Sequence, residues 1–217
     1  MAISNRGVIR SVWLGACVFL LAPFSSHAED QSPLEDPGFE METPARQGGW
    51  EIFGPSRISD EFARQGKSSM LNGATSKSVP YPPYFIGTVS GSYQEFDAAP
   101  RSQWRLTGYG LTPRSLIGTP AFGIVQISFF DANGKDLGTL ETIGEKTPKA
   151  KLSDEINNQS PVGQWIALDT GVATAPDGTA SVQAFTLYVD YSGSNIFQGV
   201  YFDDLSLQCV AGPCPEM

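Results

Sequence analysis

The chemistry this sequence offers lies in aromatic rings and hydrogen-bonding side chains placed at alternate positions of short apolar segments. In 103–109, Trp104 and Leu106 share one face of an extended chain, while Arg105, Thr107 and Tyr109 share the other. In 124–130, Val125, Ile127 and Phe129 read as core against Gln126, Ser128 and Phe130. In 182–189, Phe185, Leu187 and Val189 form the apolar face and leave Ala184, Thr186 and Tyr188 opposite. Arg105, Tyr109, Gln126 and Tyr188 are therefore expected together on one sheet face. There, rings can offer flat apolar platforms to a ligand while guanidinium and amide groups supply hydrogen bonds. The alternative is a covered face whose polar groups satisfy one another. Tyr81 and Tyr84, in Tyr81-Pro-Pro-Tyr84-Phe85, add an aromatic loop to the candidates.

Other chemistries are excluded by what the chain lacks. Its one histidine, His27, lies in the first 28 residues, which read as an export signal. Arg6 and Arg10 make the positive start, 12–24 is an almost unbroken apolar run, and Ser26-His27-Ala28 presents a cleavage site after Ala28. The run falls short of the ~20 residues a membrane span requires. The remainder, 29–217, has no histidine, so no Ser-His-Asp triad, Cys-His pair or imidazole metal site can form. Removing the two leader arginines takes the formal net charge from −9 to −11. That charge argues against nucleic acid, whose phosphates recruit Lys and Arg. Asp203 and Asp204 are adjacent on an extended segment, so they cannot be the facing carboxylates of a glycosidase. No Gly-rich phosphate loop and no Cys or His cluster is present, and the chain is read as non-enzymatic.

The elements that must position these groups are strands. The chain has 23 glycines and 16 prolines, which punctuate segments rich in β-branched and aromatic residues at 49–53, 92–96, 103–109, 123–130, 164–168, 181–189 and 199–209. Such spacing, without helix-length periodicity, predicts one all-β sandwich or jelly roll over 29–217. Asp131-Ala-Asn-Gly134 reads as a turn, and only 153–158, with Ser153 as N-cap, could form a short helix. Two loops, 73–91 and 141–163, are longer than a tight sandwich needs. The second is read as a solvated insertion.

A family resemblance then emerges. Asp36-Pro-Gly-Phe-Glu40 resembles the opening motif of CenC-type carbohydrate-binding modules (families 4, 9 and 22), and Trp50 follows at the right distance. Arg64-Gln-Gly-Lys-Ser-Ser-Met-Leu71, Tyr93-Gln94 to Pro100 with Trp104-Arg-Leu, Phe129-Phe-Asp-Ala-Asn-Gly134, Trp165 and Gly199-Val-Tyr-Phe-Asp-Asp-Leu-Ser-Leu207 continue in the family's order. The resemblance implies a galactose-binding-domain-like jelly roll that binds a glycan, often beside a structural calcium ion. It assigns the ion to Glu40 and Asp203, with backbone carbonyls of Arg64 and Lys67 completing the shell. Alternation supports a partner for Asp203, because it puts that carboxylate on the face of Leu205 and Leu207, towards the core.

The expectation is an exported, secreted or periplasmic module that binds a polysaccharide or glycoconjugate. Its competitor is an envelope structural or adhesion domain of the same fold with a protein partner. Cys209 and Cys214, separated by Val-Ala-Gly-Pro in an exported chain, are expected to form a disulfide.

Overall fold

The computed structural model describes residues 32–43, 46–47, 49–73, 88–117, 121–137, 151–190 and 198–216. The export signal and the Tyr81/Tyr84 loop lie outside them. Short strands β1 (Glu42–Thr43) and β2 (Arg46–Gln47) pair with each other, and ten more strands build the body. These are β3 (Glu51–Phe53), β4 (Ser56–Ser59), β5 (Ser69–Gly73), β6 (Thr88–Asp97), β7 (Gln103–Leu111), β8 (Ala121–Phe130), β9 (Lys151–Leu152), β10 (Ile166–Thr174), β11 (Ser181–Asp190) and β12 (Gly199–Ala211).

They form two antiparallel five-stranded sheets. The first has the order β10-β7-β12-β5-β4 and the second β3-β6-β11-β8-β9. Every segment read as a strand from the sequence contributes one. The core lies between the sheets. Trp104, Leu106, Phe202 and Leu207 enter it from the first, and Val125, Ile127, Phe129 and Val182 from the second. Phe39 and Trp50, with ring centroids 4.9 Å apart, extend it. The turn at Asp131 forms as expected: Gly134 N–H bonds the Asp131 carbonyl, and the Asp131 carboxylate accepts the amides of Asn133 and Lys135. Cys209 and Cys214 are joined by a disulfide that closes the tail. Among the described residues, no helix is long and apolar enough to cross a membrane.

Three expectations are corrected. On β11 the core face is Val182, Ala184, Thr186 and Tyr188, and Phe185, Leu187 and Val189 point outward. This strand is flanked by β6 and β8 and is buried along most of both faces, so apolarity alone does not mark the inner side. Its inward Thr186 accepts a hydrogen bond from Asn72 Nδ2 of the first sheet at 2.8 Å and shares one with Ser92 at 2.7 Å.

On β12, Asp203 pairs with Tyr109 and faces outward. A bulge at Asp204 (φ 49°) shifts the register before Ser206, so that Leu205 and Leu207 turn inward. A bulge adds one residue, which inverts the alternation beyond it. Finally, 153–158 is extended along β8. Ile156 exchanges both backbone hydrogen bonds with Gly123 and is fully buried. Ser153 Oγ accepts the Val125 amide rather than capping a helix. Residues 151–156 of the loop 141–163 thus run along β8, whereas 161–163 are exposed and Val162 bridges Thr112.

Candidate ligand-binding site

The four residues expected on one face are divided between the sheets. Arg105 and Tyr109 lie on the outer face of the first, and both are engaged. Arg105 Nε donates to Asp169 Oδ1 at 2.9 Å and its Nη2 binds the other oxygen, so the guanidinium lowers the pKa of the carboxylate. The Arg64 guanidinium carbon sits 3.5 Å from the Tyr109 ring centroid, while Arg64 Nη1 pairs with Asp204. One ring face of Tyr109 is therefore already taken by a cation.

Tyr188 is fully buried in the core, where burial drives its phenol pKa upward and its hydroxyl bonds Asp190 at 3.3 Å. It points into the core, away from either outer face. Gln126 alone of the four lies on the outer face of the second sheet, because its cross-strand partners there are Phe185 and Leu152.

That second face carries a row the sequence reading did not assemble. Residues directly opposite in antiparallel strands share a face, so Glu51, Tyr93, Phe185, Gln126 and Leu152 run in line across β3, β6, β11, β8 and β9. The Tyr93 and Phe185 rings are 5.3 Å apart and the Phe53 and Tyr93 rings 6.4 Å apart. Gly91 opposes Phe53, and a Cβ on it would lie 2.3 Å from the Thr186 carbonyl oxygen and 2.9 Å from the ring tip, so only glycine fits there.

The next line across is Glu95, Gln183 and Ser128. The Tyr93 hydroxyl donates to Glu51, which raises its pKa to about 12, and Gln183 Nε2 donates to Glu95 at 2.9 Å. Tyr93, Phe185, Phe53 and Gln183 are half-exposed and the two glutamates exposed, whereas Ile124 and Leu187 further along are 1% and 2% exposed. The face is open at one end and closed at the other.

Gln126 stands between these ends. It is 4% exposed, its Nε2 donates to Ser128 Oγ at 2.7 Å, and its Oε1 has no partner. Among the described residues, three other buried side-chain atoms share that condition, on Ser56, Asn72 and Ser90. All three point into the sandwich, where a trapped water suits them. Gln126 points outward, beside Phe185. The signal that could have found Phe53, Tyr93 and Phe185 was the alternation of β6, where Tyr93 and Glu95 oppose Ser92 and Gln94.

The residues assigned by resemblance to calcium meet at one turn. The Glu40 carboxylate accepts the amides of Lys67 at 2.9 Å and Ser68 at 3.1 Å. Asp203 accepts those of Arg64 at 2.6 Å, Gln65 at 3.4 Å and Asp204 at 2.8 Å. Gly66 (φ 66°) is obligatory there, since a Cβ would lie 2.1 Å from Glu40 Oε1. Asp203 is fully buried, and burial pushes its pKa up to about 6 despite these donors. Among the described residues, no three acidic, cysteine or histidine side chains converge as a metal cluster, so any cation shell here must draw on carbonyl oxygens.

No family profile and no curated protein matches the sequence. Solved structures do match. The C-terminal family 22 carbohydrate-binding module of Clostridium thermocellum Xyn10B superposes with TM-score 0.50 at 14% identity, over 87% of this chain and 98% of the module. The fold is that of a carbohydrate-binding module. The same sandwich also occurs in larger chains. The enzymatically active domain of bacteriophage CBA120 tailspike protein 4 matches with TM-score 0.50 at 13% identity, over 82% of this chain. Arabinose-bound α-L-arabinofuranosidase MgGH51 matches with TM-score 0.50 at 14% identity, also over 82%. This carbohydrate-binding-module fold spans only 21% of the tailspike chain and 26% of the arabinofuranosidase.

Proposed function

We propose that this chain is an exported, non-catalytic module that binds a polysaccharide or glycoconjugate across the outer face of its second sheet. The observation that carries the reading is the Phe53–Tyr93–Phe185 row with the unpartnered carbonyl of Gln126 beside it. Stacked or tilted rings offer flat apolar platforms for sugar faces, and a buried acceptor without a donor is costly until a ligand supplies one. The saccharide associations in the names of two fold relatives agree with this reading. Arg105 and Tyr109 are left out of the site, because each already has an internal partner. Affinity electrophoresis on soluble polysaccharides tests it. Retardation that is lost in Tyr93→Ala and Phe185→Ala, with unchanged circular dichroism, supports the reading. Migration unaffected by every polysaccharide would leave the adhesion-domain alternative.

Calcium is proposed at the turn of residues 64–68. Its donors would be the carboxylates of Glu40 and Asp203 and the carbonyl oxygens of Arg64 and Lys67, an all-oxygen set of the kind Ca²⁺ prefers. The support is that two carboxylates converge on one turn and that Asp203 is buried with no cationic side chain donating to it. The ion would add to the positive charge that the Arg64 guanidinium, bonded to Asp204, already brings near Asp203, and would lock the turn. Chelator should lower the melting temperature of the wild type but not of Asp203→Asn; equal melting with and without chelator would remove the ion.

A further inference from the structure

The outer faces of the two sheets differ in how their carboxylates are neutralised. On the first sheet side, Arg57, Arg64 and Arg105 each pair with an acid: Glu61, Asp204 and Asp169. On the second, Glu51 and Glu95 have neutral donors, the Tyr93 hydroxyl and the Gln183 amide. Among the described residues, no Lys or Arg shares the second face on β3, β6, β11 or β8: the positions there are acidic, aromatic, aliphatic, amide, hydroxyl or glycine. Their negative charge therefore stands uncompensated on both β3 and β6, flanking the Tyr93 ring. The whole chain, at formal net charge −9, adds to that field.

The charged hydrogen-bonding capacity left on this face is of one kind, the neutral donors being the second amide N–H groups of Gln126 and Gln183 and the Ser128 hydroxyl. Each exposed glutamate has lone pairs beyond the single donor it accepts, and Gln126 Oε1, buried beside Phe185, accepts nothing. The face is a set of rings edged by acceptors. Its best counterpart has a flat apolar side and bears donors, preferably charged ones.

Resting on the ring-face reading above, we infer that the site takes a glycan of amino sugars with free amines. The pyranose would stack on Tyr93 and Phe185, with ammonium groups against Glu51 and Glu95 and a donor directed to Gln126 Oε1. An ammonium offers three donors and a positive charge, which a neutral sugar lacks. A uronate-bearing glycan would bring like charge against both glutamates.

The test is calorimetric titration of the purified protein with four oligosaccharides of equal length at pH 5.5. These are a glucosamine oligomer, its fully N-acetylated form, a neutral xylo-oligomer and a galacturonate oligomer. The glucosamine oligomer should bind at least about tenfold more tightly than the N-acetylated and neutral ones, with the galacturonate weakest. Raising the salt should narrow the gap, because exposed charges are screened. The double variant Glu51→Gln/Glu95→Gln should abolish the preference while keeping the fold by circular dichroism. Equal or tighter binding of neutral oligomers, unaffected by that variant, would overturn the amine assignment and leave the ring face standing. Glucosamine binding that survives Tyr93→Ala and Phe185→Ala would be charge attraction away from the rings and would also overturn it. Binding of none of the four would defeat the ring-face reading itself.

Discussion

The outer faces of the two sheets are built from similar residues and do different work. On the first, Tyr109 is capped by Arg64, Arg105 is clamped by Asp169, and the hydroxyl of Tyr201 donates to Glu61 at 2.6 Å. Rings and charges there meet one another, so the face is closed by its own contacts. On the second, Phe53, Tyr93 and Phe185 make a half-exposed row and Gln126 keeps an unused acceptor. The lesson is that an aromatic or polar residue on an outward face says little about binding until its partners are known. The decisive property is interaction capacity left unfilled.

The largest effects should come from residues that belong to neither face. Trp104 and Tyr188 are both fully buried in the core, so Trp104→Ala or Tyr188→Ala should each cost ~3–5 kcal/mol of stability, measured by denaturant unfolding. A Tyr188→Ala variant of wild-type stability that loses glycan binding would return Tyr188 to a ligand face.

Asp203 should give the next largest effect, and its sign is fixed by its raised pKa. With the folded value pushed to about 6 by burial and the unfolded value near 3.9, the neutral acid is favoured by folding. Its contribution is fully present below about pH 4 and is lost as pH rises through about 6, by up to about 3 kcal/mol. Unfolding measured in chelator from pH 4 to 7 should show this decline, and Asp203→Asn should flatten it. The lowered pKa values of Glu61, Asp131 and Asp169 act the other way, and their support disappears only as pH falls below about 4. A wild type whose stability rises from pH 4 to 7 in chelator would contradict the burial of Asp203.

Ring removal on the second face should cost ~1–3 kcal/mol of binding for Tyr93→Ala or Phe185→Ala, read by titration. Tyr109→Ala should leave binding unchanged. If Tyr109→Ala abolishes binding and Tyr93→Ala does not, the two faces have exchanged roles. The smallest effect belongs to the exposed Arg105–Asp169 pair. Its disruption by Arg105→Ala should cost ~1 kcal/mol or less, because both side chains are more than two-fifths exposed and water screens them.

Much of this was legible in the sequence. Glycine and proline spacing with β-branched and aromatic runs determined the sandwich, because strand length and turn chemistry are local properties. The inward Trp104 and Leu106 and outward Arg105 and Tyr109 followed from alternation on β7, an uninterrupted strand whose outer face is partly exposed. The pairing of Cys209 with Cys214 followed from their nearness along the chain.

What alternation could not decide was anything requiring knowledge of a neighbour. On β11 both faces are largely buried, so the inward position of Tyr188 depends on which residues β6 and β8 place beside it. On β12 one bulge at Asp204 turns Asp203 outward, and nothing in the order Phe202-Asp203-Asp204-Leu205 announces where an extra residue will be absorbed. The candidate site itself is a line drawn across strands, from Glu51 through Tyr93 and Phe185 to Gln126, whose members lie up to 134 positions apart in the chain. Its members become neighbours only through register, and register is set by the packing of two whole sheets.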